Sequence, residues 1–294
     1  MKKFIHTFIP AILAGVCIAL GGIFDIPFAE ELQIAKAAGF DGFFTNWNKS
    51  GCLDEPRTLA DKLGMHYQSV HAPFTRAAEM WTPEYQGAAN ELIECIRDAA
   101  AHDVPIVVMH AFFGFEDHTP NAYGLESFRK VSEEAGKLGV KVALENTEGE
   151  EYLAALMESL AVLDNVGFCL DTGHEMCYNH SKDLLSLYGD RLIATHINDN
   201  LGIRDFSGKT TWIDDLHLLP FDGIGDWENF VMRLDEHAYA GPLTFELNAH
   251  HGKPNRHEND LYAGLSPQMF FTLAYMRACK LAKLREVLSM RRQG

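Results

Sequence analysis

Six apolar runs of this chain end on a residue that can hold a cation or move a proton: His71, His110, Glu145, Asp171, His196 and Glu246. The clearest is Val166-Gly167-Phe168-Cys169-Leu170, which stops at Asp171 with His174 three residues further on. Burying a carboxylate at the end of such a run is costly unless its charge is offset. Singly, each of the six has a plain explanation, since a strand-end histidine is commonly held in structural hydrogen bonds and a glutamate is commonly solvated. Six together are much harder to explain that way. Two glutamates, an aspartate and a histidine form an oxygen and nitrogen donor set without thiolate. That set suits Mn2+, Mg2+, Co2+ or Zn2+ rather than a soft metal or a structural zinc. A dication offsets the charge of Asp171, and the other carboxylates share it.

The elements that must position these residues follow from periodicity. Short apolar runs alternate with helical patterns, the signature of parallel βαβ units. Strands are expected over residues 13–20, 40–45, 66–71, 105–110, 141–146, 166–171, 192–199 and 242–248. A helix over 27–40 stops at Gly39. Another over 82–103 starts with Thr82 as N-cap and Pro83 in the first turn. A third ends at Gly139 and runs straight into a strand, and a C-terminal helix covers about 264–290. Eight such units in 294 residues, with no linker, are the count of a single-domain α/β (β/α)8 TIM barrel. A doubly wound open sheet is the runner-up, but it usually has fewer strands and a Gly-rich first turn that is missing here. In a barrel the active site is built at the C-terminal strand ends, so the six residues converge on one mouth.

Composition narrows the partners. A formal charge of −16, with no Arg/Lys-rich run interleaved with aromatics, argues against nucleic acid. The six cysteines are scattered without CxxC spacing, which favours reduced thiols in a cytoplasmic protein. The N-terminal MKKFIHTFIPAILAGVCIALGG reads either as a secretory signal or as a leading segment plus the first barrel strand. The strand is preferred, because a closed barrel cannot spare it. No other apolar run approaches bilayer-spanning length. Residues 200–225 form the longest irregular stretch and carry Arg204, Lys209, Trp212, Asp215 and His217. Arg204 or Lys209 suits a substrate phosphate or carboxylate, although exposed cations are more often solvated. Trp47 and Phe112, just past strands two and four, form either an apolar wall against a sugar ring or packing beneath the loops. His250 and His251 lie within reach of the mouth. The Gly-rich FDGIGDW lacks a nucleotide fingerprint's context, and its Asp226 reads as an N-cap.

The ordered segments VHAPF, VALEN, GFCLDTGH, THINDN, DDLHLLPFDGIGDW and LTFEL resemble the xylose isomerase-like TIM barrel superfamily, from about residue 12 to 285. That group includes sugar phosphate isomerases/epimerases, ketose 3-epimerases, inosose dehydratases and endonuclease IV. The resemblance implies one shared dication, Mn2+ first, on Glu145, Asp171, His196 and Glu246. It implies Glu145 and Glu246 as the acid/base pair and His174 on substrate oxygens, with a further carboxylate near Glu151. His71 and His110 match histidines that hold a second zinc in endonuclease IV, and Asp215-x-His217 matches part of a third site there, with His174. In the sugar enzymes such residues often bind substrate instead. Many members associate as dimers or tetramers, so the resemblance also implies a homodimer or homotetramer.

The function expected is therefore a metal-dependent carbohydrate isomerase or epimerase. Proton removal next to a carbonyl gives an enediolate whose charge the dication offsets, and epimerisation needs groups on both faces of the carbon. A lyase of the same superfamily, dehydratase-like or C-glycoside-cleaving, is the alternative. An AP endonuclease ranks last because of the charge. The partner expected is a small-molecule carbohydrate, with no nucleic acid and no membrane.

Overall fold

The computed structural model describes residues 15–116, 119–203, 212, 214–249 and 261–293, so Arg204, Lys209, His250 and His251 lie outside the described residues. Eight short strands form one parallel sheet: β1 (Val16–Leu20), β2 (Gly42–Asn46), β3 (His66–His71), β4 (Ile106–His110), β5 (Lys141–Glu145), β6 (Val166–Asp171), β7 (Leu192–His196) and β8 (Leu243–Phe245). Their order around the sheet is β7-β6-β5-β4-β3-β2-β1-β8, and Ile197 bridges Phe245 in the same sense, which brings β7 round to β8. This is the expected barrel.

Helices α1 (Phe28–Ala38), α2 (Asp54–Leu63), α3 (Gln86–Ala101), α4 (Ala122–Lys137), α5 (Glu150–Ser159), α6 (Thr172–Cys177), α7 (Leu185–Tyr188), α8 (Trp227–Glu236) and α9 (Pro267–Gln293) fill the connections. Their apolar faces pack on a continuous core that includes Leu32, Ile96, Phe128, Leu156, Val231 and Phe271. Gly139 has φ +73, the left-handed conformation that ends a helix at low cost for glycine. Ser266 caps α9 by accepting the Met269 N–H at 3.2 Å, with Pro267 in the first turn. None of the described helices is long and apolar enough to cross a membrane.

Three boundaries differ from expectation for physical reasons. The Thr82 hydroxyl donates to Glu79 O at 2.9 Å, closing the preceding 3-10 turn (Ala77–Trp81), so it does not cap a helix, and α3 starts only at Gln86. The β7 ladder ends at His196, because Asp199 instead bridges Leu218 in antiparallel fashion and leads the chain away from the barrel. The β8 ladder ends at Phe245, and the Glu246 N–H still donates to Ile197 O at 3.2 Å.

Helix α4 must approach the 3-10 turn closely. A Cβ on Gly124 would lie 1.9 Å from Trp81 Cε3, and that indole is pinned by its N–H on Ala111 O at 2.8 Å. Gly124→Ala gains about 1 kcal/mol of helix propensity. It forces a rigid buried ring to move, which costs about 1–3 kcal/mol or more. The expected result is a net loss of stability, read as a lower urea midpoint at unchanged slope.

Candidate active site and metal centre

Parallel register carries the strand-end residues into one layer. His110 pairs with Glu145, Asp171 with His196, and Asn46 with His71. At the centre, Glu145 is fully buried, with Oε1 2.7 Å from His196 Nδ1 and Oε2 3.1 Å from His71 Nε2 and 3.3 Å from His110 Nε2. Glu246, across the mouth, brings Oε2 to 3.1 Å from the same His196 Nδ1. Asp171 is also fully buried and accepts the His174 N–H at 2.6 Å and the Asn198 amide at 2.9 Å. One ligand atom from each of Glu145, Asp171, His196 and Glu246 lies within 4.8 Å of the other three. All four metal ligands expected from the sequence are brought together.

Three neighbouring groups have the same compactness: His71, His110 and Glu145; Glu145, Cys169 and His196; and His174, Asp215 and His217. Asp215 Oδ2 is 2.9 Å from His217 Nε2 and 3.3 Å from His174 Nε2, while His174 Nδ1 lies 2.9 Å from Asn146 O.

The electrostatics follow from burying so many carboxylates among imidazoles. Burial pushes the Asp171 carboxyl up to about 7 against the pull of His174. Burial also opposes ionisation of Glu145 and Glu246, but the histidines outweigh it. His196, His110 and His71 hold Glu145 well below the usual range, and His196 with His217 brings Glu246 to about 2. His196 is raised in turn, against its own burial, by both glutamates. Burial lowers His110, keeping a neutral imidazole beside the cluster.

This arrangement fits a dication. Protonated imidazoles and a bound ion are alternative ways to offset the same carboxylates, and an ion needs those imidazoles neutral. His196 Nε2 is buried with no hydrogen-bond partner among the described residues. The ring is thus turned to aim Nδ1 at two carboxylates at the cost of its other nitrogen. Stacking on Phe44 at 4.6 Å and 11° holds it so.

A polar shell that the sequence reading missed locks these ligands. Asn146, directly after Glu145, accepts the Asp171 N–H and donates to Asp171 O, both at 2.8 Å. Asp199 accepts backbone N–H groups from Asn200, Phe221, Gly223 and Gly225 at 2.9–3.0 Å and the Trp227 indole N–H at 3.2 Å. FDGIGDW is therefore a loop wrapped around one buried carboxylate, and Asp226 caps α8 as expected. Asp199→Ala strands five donors. At about 1–3 kcal/mol for a buried group left unmatched, the expected loss is about 3 kcal/mol or more, measured by urea unfolding.

Glu148 is a further miss. It is buried and accepts Gly114 N–H at 2.9 Å and the Trp212 indole at 3.2 Å, near His110. Glu151, nearest the expected extra carboxylate, lies exposed in the first turn of α5. A polar residue in the NTEGEE stretch past strand five was the available signal, but its register was ambiguous. Trp47 and Phe112 are both packed beneath the loops, one of the two roles expected of them. The Trp47 indole N–H donates to Asp98 at 2.8 Å, and Phe112 stacks on Tyr152 at 4.1 Å and 8°. Both are 5% exposed.

Comparison with known proteins agrees with the geometry. The family described as xylose isomerase-like TIM barrel matches residues 32–266. A curated relative, "Uncharacterized protein y4fM" of Sinorhizobium fredii (strain NBRC 101917 / NGR234), is 30% identical over 268 residues, covering 76% of this chain and 82% of its own. An L-ribulose 3-epimerase structure superposes with TM-score 0.71 at 16% identity, over 96% of this chain and 97% of that one. D-psicose 3-epimerase from Clostridium cellulolyticum H10, solved with D-tagatose, gives 0.70 at 16%, over 92% and 99%. The chain spans 41% of a xylose isomerase-like TIM barrel/4-hydroxyphenylpyruvate dioxygenase fusion protein, which matches at TM-score 0.64 and 18% identity over 85% of this chain.

Proposed function

The chain belongs to the xylose isomerase-like TIM barrel family, and we propose that it is a carbohydrate isomerase or epimerase using one divalent cation, with Glu145 and Glu246 as the acid/base pair. The observation that supports this reading is the meeting of both glutamates at His196 Nδ1 beside buried Asp171. An ion held by Glu145, Asp171, His196 and Glu246 supplies Lewis acidity to a substrate carbonyl and its neighbouring hydroxyl; Mn2+ is our choice, and Mg2+, Co2+ and Zn2+ suit the same donors.

The remaining work falls to the chain. Glu145 from β5 and Glu246 from just beyond β8 approach a carbon between them from opposite sides. One takes the α-proton, and the other returns a proton to the far face, which inverts the centre. If one glutamate performs both transfers, the outcome is isomerisation. Their lowered pKa keeps both as carboxylates, the form that can accept a proton. His71, His110, His174 and His217 orient substrate oxygens, with His174 and His217 both anchored on Asp215. Arg204 is assigned to a substrate phosphate or carboxylate.

Incubating the protein with Mn2+ and a panel of ketoses, inososes and their phosphates in D2O tests this. Deuterium incorporation with a new ketose or epimer is the expected result. Water loss without either would instead identify a lyase. A second reading draws on two of the further ligand groups, His71/His110/Glu145 and His174/Asp215/His217, which would make a three-ion phosphoester hydrolase. The −16 charge counts against it. About three tightly held zincs per chain, with nicking of an abasic duplex, would favour it.

A further inference from the structure

One side of the mouth is aromatic throughout. Phe74 lies flat against His110, with centroids 4.6 Å apart and planes at 19°, and edge-on to His71 at 5.7 Å. Phe113 follows at 5.3 Å from Phe74, and Trp212 stacks on Phe113 at 5.2 Å and 10°. Trp212 also touches Phe115 at 5.2 Å, Phe115 reaches Tyr178 at 5.8 Å, and Tyr178 stacks on His174 at 4.9 Å. The belt thus leaves the site at one imidazole and returns to it at another.

Three features of the belt point to a ligand and not to core packing. Its rings come from separate loops past β3, β4, β6 and β7, and Phe74, Phe113, Phe115 and Tyr178 are only half-buried. Trp212 is 41% exposed, whereas Trp47, Trp81 and Trp227 are each 5% exposed. Buried Glu148 accepts the Trp212 indole N–H at 3.2 Å, which fixes the edge of the ring, while Phe113 stacks on one of its faces. A rimmed apolar surface continuous with a polar centre is what a two-part ligand requires. A free ketose, hydroxylated on every side, would use the histidines and carboxylates and leave the belt wet.

We infer that the substrate is a glycoside that carries a ketone on its sugar ring and a planar aromatic aglycone, the aglycone stacked on the Phe74/Phe113/Trp212/Phe115/Tyr178 belt while the keto-sugar, whose α-proton the glutamates move, lies between them. This rests on the proposed carbohydrate function and names its substrate class.

The test uses the full chain with Mn2+ and two unreactive probes, phenyl β-D-glucopyranoside and methyl β-D-glucopyranoside, titrated by calorimetry. Trp212 fluorescence serves as a second signal. The phenyl glycoside should bind about tenfold more tightly, the gain expected of an aromatic stacking contact plus the apolar area it covers, and should quench the exposed indole. Trp212→Ala and Phe113→Leu should each bring the ratio close to one, with unchanged far-UV circular dichroism. Equal affinities in the parent, a ratio that survives both substitutions, or no binding of the phenyl glycoside at millimolar concentration would overturn the inference. Failure of the acid/base reading is separate, because it is read from hydrogen exchange in the glutamate variants.

Discussion

Glu145→Gln is expected to lower interconversion of substrate and product by about 10³-fold or more, with the barrel intact. A positioned acid or base accounts for about 10²–10⁴-fold, and the same change removes one of the carboxylates placed to hold the ion. Gln keeps the shape, and its amide oxygen still accepts from one of the three surrounding histidines, so circular dichroism should be unchanged and the melting temperature only modestly lower. Glu246→Gln should lose as much activity with less effect on stability, because Glu246 is 23% exposed where Glu145 is fully buried. In a two-faced mechanism the variants differ in a diagnostic way. Any deuterium exchange left in one belongs to the epimer whose hydrogen faces the remaining glutamate. Interconversion at the parent rate in either variant would remove that residue from its role.

The second large effect concerns ion binding. A ligand at a hundred times its Kd stabilises the folded state by about 2.7 kcal/mol, so Mn2+ should raise the melting temperature of the parent by several degrees. Asp171→Asn should abolish that rise, with affinity lowered by about 100-fold or more, since even residues that only support a metal ligand cost about 10–100-fold when changed. The ion-free variant should melt close to the ion-free parent. Burial already pushes Asp171 up to about 7, so the charge removed is one the fold holds at a cost. The introduced amide oxygen still accepts the His174 N–H, and Asn198, whose Oδ1 has no partner among the described residues, can turn its own amide to receive the new donor. A variant that keeps the Mn2+-induced rise would place the ion elsewhere.

How much of this was legible before the structure differs by residue. The barrel and the converging strand ends could be read because each strand is a short apolar run whose last residue is polar, and parallel register then brings those ends into one layer. Glu145, Asp171, His196 and Glu246 were found for that reason. Asn146, Asn198 and Asp199 were not, although they sit beside them in VALEN and THINDN. An Asn or Asp just past a strand is a common turn residue, and nothing local says that its partners lie at the end of the neighbouring strand, as for Asn146 and Asn198, or along a remote loop, as for Asp199. Trp47 shows the converse. Its position after β2 left a substrate wall and packing beneath the loops equally open, and Asp98, remote in sequence on α3, supplies the acceptor that draws the indole into packing. Thr82 misled because a hydroxyl before Pro has two uses, and Glu79 O claimed it for closing a 3-10 turn. Glu148 and Trp212 depend on a contact between two loops, which no periodicity encodes.

Anomalous scattering from a crystal soaked in Mn2+ measures the central claim most directly. The expected map has one dominant peak enclosed by the carboxylates of Glu145, Asp171 and Glu246 and by His196 Nδ1. A map with no peak there, or one in which those four side chains point away from each other, would contradict it.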